Sequence, residues 1–175
     1  MDNRELVTAI YDVAHLTGSF KLRSGQSAHE YFDKFQFTSR PELLDAVSDA
    51  MAAIVPADVE VLAGLQLGGV PLAAALALKT GLPAVYVRLE RKGYGTCKIS
   101  EGVDVAGKVV AIVEDVTTTG GQIVLSTADL RAEGADVRHV LVVIDKETGA
   151  GKNLSEAGLK LHSIFTARYL ESTGQ

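Results

Sequence analysis

The sequence predicts an α/β fold in which a parallel β-sheet is covered by helices on both faces. From about residue 59 onward, continuous apolar segments alternate with segments of helical periodicity. Strands that are apolar throughout are typical of parallel sheets buried on both faces. Such sheets bind ligands beyond the carboxyl ends of their strands. The residues that directly follow each predicted strand are therefore the candidate functional residues.

The N-terminal part of the chain has a different pattern. Residues 4–16 carry apolar side chains on one face, which predicts an amphipathic helix. Residues 18–25 alternate apolar and polar side chains, which predicts a short strand ending in a turn, and residues 31–35 are the candidate partner strand. We therefore expect a small N-terminal hood at approximately residues 1–38 and a core at approximately residues 39–175, within a single domain at residues 1–175.

The core is predicted to begin with a helix. Ser39 and Glu42 have capping-box spacing and Pro41 suits a first helical turn, so a helix is expected to about residue 54. The residue pattern after this helix predicts, in order, a strand at 59–65, a helix at 70–79, a strand at 84–89, a polar loop at 90–102, a strand at 108–113, a helix at 122–133 and strands at 137–144 and 159–166.

Composition narrows the class of protein. The net charge of −5 argues against a nucleic-acid or anionic-membrane binder, because both kinds of partner require a basic face. The single cysteine, Cys97, cannot form an internal disulfide, and the first five residues are too polar for a signal peptide. These features predict a cytoplasmic protein. Cys97 lies in the polar loop with no established base beside it, so we assign it no role.

The strongest functional signal is the segment at residues 109–121. A strand of apolar residues is followed by two carboxylates, Glu114 and Asp115, then by a turn rich in Thr and Gly and a predicted helix. Backbone N–H groups at a helix N-terminus bind phosphate, and glycines let the backbone approach it closely. The carboxylates can accept hydrogen bonds from ribose hydroxyls and lie near a hydrated magnesium ion. The segment therefore predicts a sugar-phosphate site.

The same segment resembles the phosphoribosyl pyrophosphate (PRPP) motif of the type I phosphoribosyltransferases. Three further segments are similar to the orotate phosphoribosyltransferases of that class. Residues 18–25 resemble the family's hood, residues 62–73 its pyrophosphate-binding turn, and residues 87–96 its mobile catalytic loop. The resemblance implies a magnesium-dependent transferase that uses PRPP and orotate, with Mg²⁺ held through PRPP rather than by direct protein ligands, and a homodimer with shared active sites.

The resemblance also assigns roles to individual residues. It implies that Lys92, from the neighbouring subunit, Arg88 and Asp115 are catalytic. The implied PRPP-binding residues are Glu114, Asp115, Thr117, Thr118, Thr119, Gly120, Gly121, Arg88, Lys92 and Tyr94. The implied orotate-binding residues are Arg23, Tyr31, Phe32, Thr118 and Lys146.

Three departures from the family pattern bear on the choice of base. Leu89 stands where the family usually has a second lysine, and Arg91 is a candidate source of that charge. Arg23 stands at a position where the family usually has lysine, and Lys146 at one where it usually has arginine. Arginine and lysine are not interchangeable where a carboxylate is bound through two hydrogen bonds. Two alternatives therefore stand beside orotate transfer. One is the same chemistry on another nucleobase, and the other is a regulator that binds PRPP without turnover.

Overall fold

The computed structural model describes residues 1–21, 25, 27–91, 93, 95 and 97–173. Their strands are β1 (His15–Lys21), β2 (Ser27–Phe32), β3 (Val61–Leu65), β4 (Ala84–Val87), β5 (Ser100–Gly102), β6 (Val109–Thr117), β7 (Asp136–Asp145) and β8 (Lys160–Thr166). Their helices are α1 (Asn3–Ala14), α2 (Phe35–Thr38), α3 (Pro41–Ala52), α4 (Gly69–Thr80), α5 (Gly121–Ala132), α6 (Ala150–Glu156) and α7 (Ala167–Thr173).

The main sheet has the strand order β5-β4-β3-β6-β7-β8. Strands β4, β3, β6, β7 and β8 are parallel, which confirms the predicted fold class. Strand β5 is antiparallel to β4 and lies inside the segment that was predicted to be loop throughout. That part of the prediction was wrong, because a three-residue strand is too short to show a periodic pattern.

Both faces of the sheet are buried, since alternate residues of the central strands enter two separate cores. In β6, Ala111 and Val113 pack with α1, α3 and α4 on one face. Val110 and Ile112 of the same strand pack with α5 and α6 on the other face. This period-two alternation with apolar residues in both registers explains why the strand is apolar throughout. The polar residues of β6 begin only at Glu114, where the strand passes the edge of the core.

The N-terminal segment forms α1 and a two-stranded antiparallel hairpin, β1–β2. Helix α1 starts with a capping box between Asp2 and Glu5, and its apolar face is buried in the same core as α3. The return strand of the hairpin lies at Ser27–Phe32, so the prediction of residues 31–35 was shifted toward the C-terminus. The chain instead turns at Asp33, whose backbone N–H donates to the carbonyl of Ala14 at 2.8 Å.

The capping box predicted at Ser39 and Glu42 is also wrong. The N-cap of α3 is Arg40, and its side chain makes no capping hydrogen bond. Ser39 is the C-cap of the short helix α2, and its hydroxyl donates to the carbonyl of Gln36. A four-residue helix has no periodic signature, so the sequence did not indicate it. Pro41 does open α3, as predicted. Within the described residues, no helix combines the length and apolar character needed to cross a membrane.

Candidate active site

The turn between β6 and α5 forms a small polar cavity. Gly120 is the N-cap of α5 with φ +75°, a conformation that favours glycine, and no side chain caps the helix. The first amides of a helix have no partner within the helix, so an uncapped start is suited to an anion. The cavity has a volume of about 120 Å³ and is lined by Glu114, Val116, Thr117, Thr118, Thr119, Gly120, Gly121, Gln122 and Ile123.

The carbonyl oxygens of this turn are bound by donors that follow β7. The backbone N–H of Lys146 donates to Thr117 at 2.9 Å, and that of Ala150 donates to Thr118 at 3.1 Å. The side-chain amide of Asn153 donates to the carbonyl of Thr119 at 2.9 Å. Carbonyl oxygens that faced the cavity would repel a phosphate. Because these oxygens accept hydrogen bonds from protein donors, they are directed away from a bound anion. The turn is therefore held open by α6 in a form that favours an anion.

Two acids lie just before the turn, and they differ in environment. Asp115 is fully buried, and its Oδ1 accepts hydrogen bonds from Lys34 Nζ at 2.8 Å and from the backbone N–H of Val116 at 2.6 Å. Its Oδ2 is buried without a hydrogen-bond partner in the described part of the chain. Glu114 is half-buried, and its Oε1 accepts from the backbone N–H of Asp115 at 3.0 Å. Burial, together with the adjacent Asp115 carboxylate, raises the pKa of Glu114 to about 8.

The raised pKa of Glu114 leads to a prediction about stability. The folded chain holds this proton more tightly than the unfolded chain, so the free energy of unfolding should fall as pH rises from about 4.5 to about 8. Glu114→Gln removes the ionisation. Urea unfolding measures this at about pH 5 and about pH 8.5. Relative to the wild type, the free energy of unfolding of the variant should be higher at about pH 8.5 than at about pH 5 by a few kcal/mol.

Glu60 provides a control of opposite sign. The backbone N–H of Val109 and then the ammonium of Lys108 lower the pKa of Glu60 below its usual value. Its contribution to stability is present above pH 4.5 and is lost only as pH falls below that value, so Glu60→Gln should be destabilised by a similar amount at about pH 5 and about pH 8.5. A pH dependence of Glu114→Gln that matches the wild type would contradict the assignment of a raised pKa to Glu114.

The turn between β3 and α4, which resembles the pyrophosphate-binding turn, lies directly against the acid pair. A β-carbon on Gly68 would lie 1.7 Å from Oδ2 of Asp115, and one on Gly69 would lie 2.1 Å from the carbonyl oxygen of Val113. The peptide bond between Gln66 and Leu67 is cis. Strands β3 and β6 are neighbours in the sheet, so their carboxyl ends bring the two turns together. Both glycines are required by this close approach.

Gly68→Ala should therefore disable the site. The new methyl group would displace the Asp115 carboxylate, and misplacement by about 1 Å can cost about a hundredfold in rate. Overpacking of this kind also destabilises by about 1–3 kcal/mol. Gly151→Ala is the matched control, since a β-carbon there meets nothing within 4 Å. Steady-state kinetics and thermal unfolding of both variants test this, and normal kcat/KM for Gly68→Ala would contradict the described contact.

Arg88 lies beside the same turn. It borders a cavity of about 190 Å³ together with Gln66 and Leu67, and its Nε donates to Oε1 of Glu101 at 3.0 Å. Arg91, the candidate replacement for the lysine missing at Leu89, is ion-paired with Glu133 at 3.1 Å and Asp129 at 3.5 Å. Arg91 is therefore engaged with acids at the end of α5, and the side chain of Leu89 is exposed.

Three of the predicted orotate-binding residues line one cavity of about 260 Å³. It is lined by Tyr31, Phe32 and Lys146, together with Tyr11, His15, Glu30, Ala167 and Leu170. The ammonium of Lys146 lies 4.7 Å from the centre of the Phe32 ring, and Tyr31 stacks on Phe20 with ring centres 5.5 Å apart. Thr118 is exposed in the turn between β6 and α5, one residue after Thr117, whose carbonyl oxygen accepts from the backbone N–H of Lys146. The hairpin, the end of β7 and the β6–α5 turn therefore lie close together around Lys146.

Three predicted site residues, Arg23, Lys92 and Tyr94, lie outside the described residues. Sequence reasoning missed Lys34, which contacts Asp115 across 81 positions of the chain, and Glu101, which contacts Arg88. No local pattern marks either residue. Among the described residues, no group of three or more His, Cys, Asp or Glu side chains is arranged to hold a metal ion.

Comparison with known proteins identifies the family. No protein-family model matches the chain. Orotate phosphoribosyltransferase of Nocardioides sp. (strain ATCC BAA-499 / JS614) is 46% identical over 167 residues, covering 95% of this chain and 93% of that protein. The Methanopyrus kandleri enzyme of the same name is 40% identical over 168 residues, covering 95% and 91%. The structure of Mycobacterium tuberculosis H37Rv orotate phosphoribosyltransferase in complex with PRPP superposes with a TM-score of 0.83, at 28% identity over 98% of this chain and 99% of that one.

The parallel sheet, with an acid pair and an uncapped helix start at one strand end, defines the class of type I phosphoribosyltransferases. Structural neighbours over nearly the full length of the chain confirm that class. Identity of 40–46% over 95% of the chain narrows it further. The chain belongs to the orotate phosphoribosyltransferase family.

Proposed function

We propose that this chain transfers the 5-phosphoribosyl group of PRPP to the ring nitrogen of orotate, giving orotidine 5′-phosphate and pyrophosphate. The observation that carries the proposal is the acid pair Glu114 and Asp115, which lies directly before an uncapped helix start in a chain 46% identical to an orotate phosphoribosyltransferase. The reaction breaks the bond between ribose C1 and the pyrophosphate oxygen, and the electron pair leaves with pyrophosphate. A new bond forms between C1 and the ring nitrogen of orotate, which releases its proton. Binding and positioning of the two partners then supply much of the rate.

The phosphoribosyl half of PRPP binds at the end of β6 in this proposal. Glu114 and Asp115 hold the ribose hydroxyls, and the free Oδ2 of Asp115 supports this because it is a buried acceptor without a partner in the described chain. The 5-phosphate lies in the adjacent cavity against the first amides of α5. The residues assigned to it are Thr117, Thr118, Thr119, Gly120 and Gly121.

The leaving pyrophosphate lies between the β3–α4 turn and the catalytic loop. Arg88 contacts it from the cavity that it lines together with Gln66. Lys92 and Tyr94 are assigned to the pyrophosphate on the family resemblance. Cations placed where negative charge develops lower the barrier, typically by a few kcal/mol each. Magnesium, when bound to PRPP, supplies further neutralisation of the pyrophosphate oxygens. The oxygens of the acid pair would fit the water molecules of a hydrated magnesium ion that PRPP itself holds.

Orotate lies between the hairpin and β7 in this proposal. Phe32 and Tyr31 line its pocket. Thr118, which lines the cavity at the β6–α5 turn, is also assigned to orotate binding on the family resemblance. Orotate carries a carboxylate, so cations at the pocket distinguish it from neutral bases. Lys146 is one such cation, with its ammonium close to the Phe32 ring, and Arg23 is assigned as the other.

A homodimer with shared sites completes the proposal. Leu67, Tyr86 and Leu89 are exposed apolar side chains near Arg88, with 62%, 38% and 54% of their surface accessible. Clustered exposed apolar side chains support a protein interface at this edge. We assign Lys92 to the active site of the partner subunit on the family resemblance, and two-fold symmetry lets each subunit contribute the same residue to the other's site. The single cysteine supports a reducing compartment, and we assign the protein to the cytoplasm.

A panel of bases tests the proposed reaction. Purified protein is incubated with PRPP, magnesium and one of orotate, uracil, hypoxanthine, xanthine or adenine, and pyrophosphate release is measured. We expect release with orotate that disappears when magnesium is chelated. Release with a neutral base but not with orotate would move the chain to another acceptor. Binding of PRPP without release for any base would favour the non-catalytic regulator.

A further inference from the structure

We propose that Lys34 is a positioning residue for the acid pair, which acts on PRPP through Asp115. The inference rests on the proposed role of Asp115 in binding ribose. Lys34 lies at the junction between the hairpin and α2, 81 positions before the acid that it contacts. Its sequence neighbours Tyr31 and Phe32 line the proposed orotate pocket. A contact between Lys34 and Asp115, which is proposed to bind PRPP, is therefore unexpected from the sequence.

The contact between Lys34 and Asp115 is short and largely enclosed. The distance from Nζ to Oδ1 is 2.8 Å, the Asp115 side chain has no exposed surface, and the Lys34 side chain is 37% exposed. An ionised carboxylate is unfavourable in a buried position unless a charge and hydrogen bonds compensate it. Lys34 is the partner that supplies this charge among the described residues.

The contact also determines the direction of the carboxylate. Lys34 and the backbone N–H of Val116 both bind Oδ1, while Oδ2 has no hydrogen-bond partner in the described chain. Gly68 lies against Oδ2 without a side chain to block it. One oxygen is thus committed to the protein and the other remains an acceptor. Without the Lys34 ammonium, the carboxylate would be free to rotate, and its two oxygens would no longer keep these separate roles.

The backbone around Lys34 is itself well anchored. The N–H of Asp33 donates to the carbonyl of Ala14, and the Asp33 carboxylate accepts from the backbone N–H of Phe35 at 3.1 Å and from the side-chain amide of Gln36 at 3.0 Å. These bonds connect the end of the hairpin to α2. Lys34 is therefore presented from a constrained turn, as a group that positions another residue requires.

The test compares Lys34→Met with Lys34→Arg. Lys34→Met should lower kcat/KM for PRPP by about ten- to a hundredfold, because the carboxylate loses its orientation. The KM for orotate should stay within about threefold of the wild type, since an effect through Asp115 concerns PRPP alone. Lys34→Arg keeps the charge and should recover most of the loss. Lys79→Met is the matched control, because it removes a lysine paired with Asp45 and Asp49 between α3 and α4, away from the site.

A double-mutant cycle shows whether Lys34 acts through Asp115. Lys34→Met should lower the unfolding temperature by leaving a buried charge unpaired, and adding Asp115→Asn should restore it. PRPP binding, measured by calorimetry, should be weakened by Lys34→Met in the wild type and unchanged by it in the Asp115→Asn background. Lys34→Gln is used in the same cycle if Lys34→Met does not fold.

Two outcomes would overturn the inference. One is normal PRPP kinetics for Lys34→Met when Asp115→Asn is inactive, and the other is a raised KM for orotate with PRPP kinetics intact, which would place Lys34 in the acceptor pocket. Failure of the role proposed for Asp115 looks different, because Asp115→Asn would then itself retain full activity, whatever the behaviour of Lys34. Failure of the proposed reaction would appear as no pyrophosphate release by the wild type with PRPP and orotate.

Discussion

Replacing both acids of the pair, Glu114→Gln with Asp115→Asn, should lower kcat by about a thousandfold or more while the chain stays folded. Both substitutions keep the shape of the side chain and replace the acidic group with a neutral amide. Loss of one preorganised group at a transition state typically costs about a hundred- to a thousandfold. The ribose would lose two acceptors, one of which is the buried Oδ2 of Asp115. Measurement combines kcat with thermal unfolding.

Stability of the double variant should be close to that of the wild type. Glu114→Gln removes a half-buried carboxyl whose ionisation is unfavourable, and an asparagine at 115 retains an oxygen for Lys34. The matched control is Asp58→Asn with Glu60→Gln, at the opposite end of the sheet, where Glu60 accepts from the N–H of Val109 at the start of β6. That control should keep full activity. Near-normal turnover of the Glu114 and Asp115 variant would remove the proposed site.

Mixing two inactive variants should restore activity if Lys92 acts across a dimer interface. Lys92→Ala and Asp115→Asn would disable different halves of a composite site, so each homodimer should be nearly inactive. After subunit exchange in an equal mixture, about half of the dimers are mixed, and each mixed dimer has one intact site under two-fold symmetry. Recovered activity should approach about a quarter of the wild-type value if the sites are independent.

The control for this experiment mixes Asp115→Asn with the Glu114→Gln, Asp115→Asn double variant. Both partners then lack the same half of the site, and no recovery is expected. Subunit exchange is verified by differential labelling and native mass spectrometry. If exchange occurs and the Lys92→Ala mixture remains as inactive as its parents, the catalytic loop serves its own subunit and the shared-site proposal fails.

The sequence predicted those parts of the molecule whose interactions are local. Residues 109–121 form one contiguous strand, turn and helix, so their pattern predicted β6, the phosphate turn and α5 together. The apolar character of β6 and β7 likewise predicted a sheet buried on both faces. The family resemblance then connected these elements to PRPP and orotate, and comparison with known proteins confirmed the family.

Features that depend on distant contacts were not predictable from one sequence. Lys34 approaches Asp115 only because α2 follows the hairpin at the end of the sheet, and its neighbours in sequence give no sign of a buried partner. Gly68 was part of the recognised turn, but its contact with Asp115 requires β3 and β6 to be adjacent. Ser39 illustrates the opposite error, since a local capping pattern was overridden by a preceding helical turn.

A crystal structure of the protein with magnesium, orotate and a non-hydrolysable PRPP analogue tests the central claim most directly. We expect the ribose hydroxyls to lie within hydrogen-bond distance of Glu114 and Asp115, with Oδ2 of Asp115 as one acceptor. The 5-phosphate should lie in the cavity at the start of α5, between Thr117 and Gly121. A ribose ring bound elsewhere, with Asp115 still paired with Lys34 and neither acid in contact with the ligand, would contradict the proposed site.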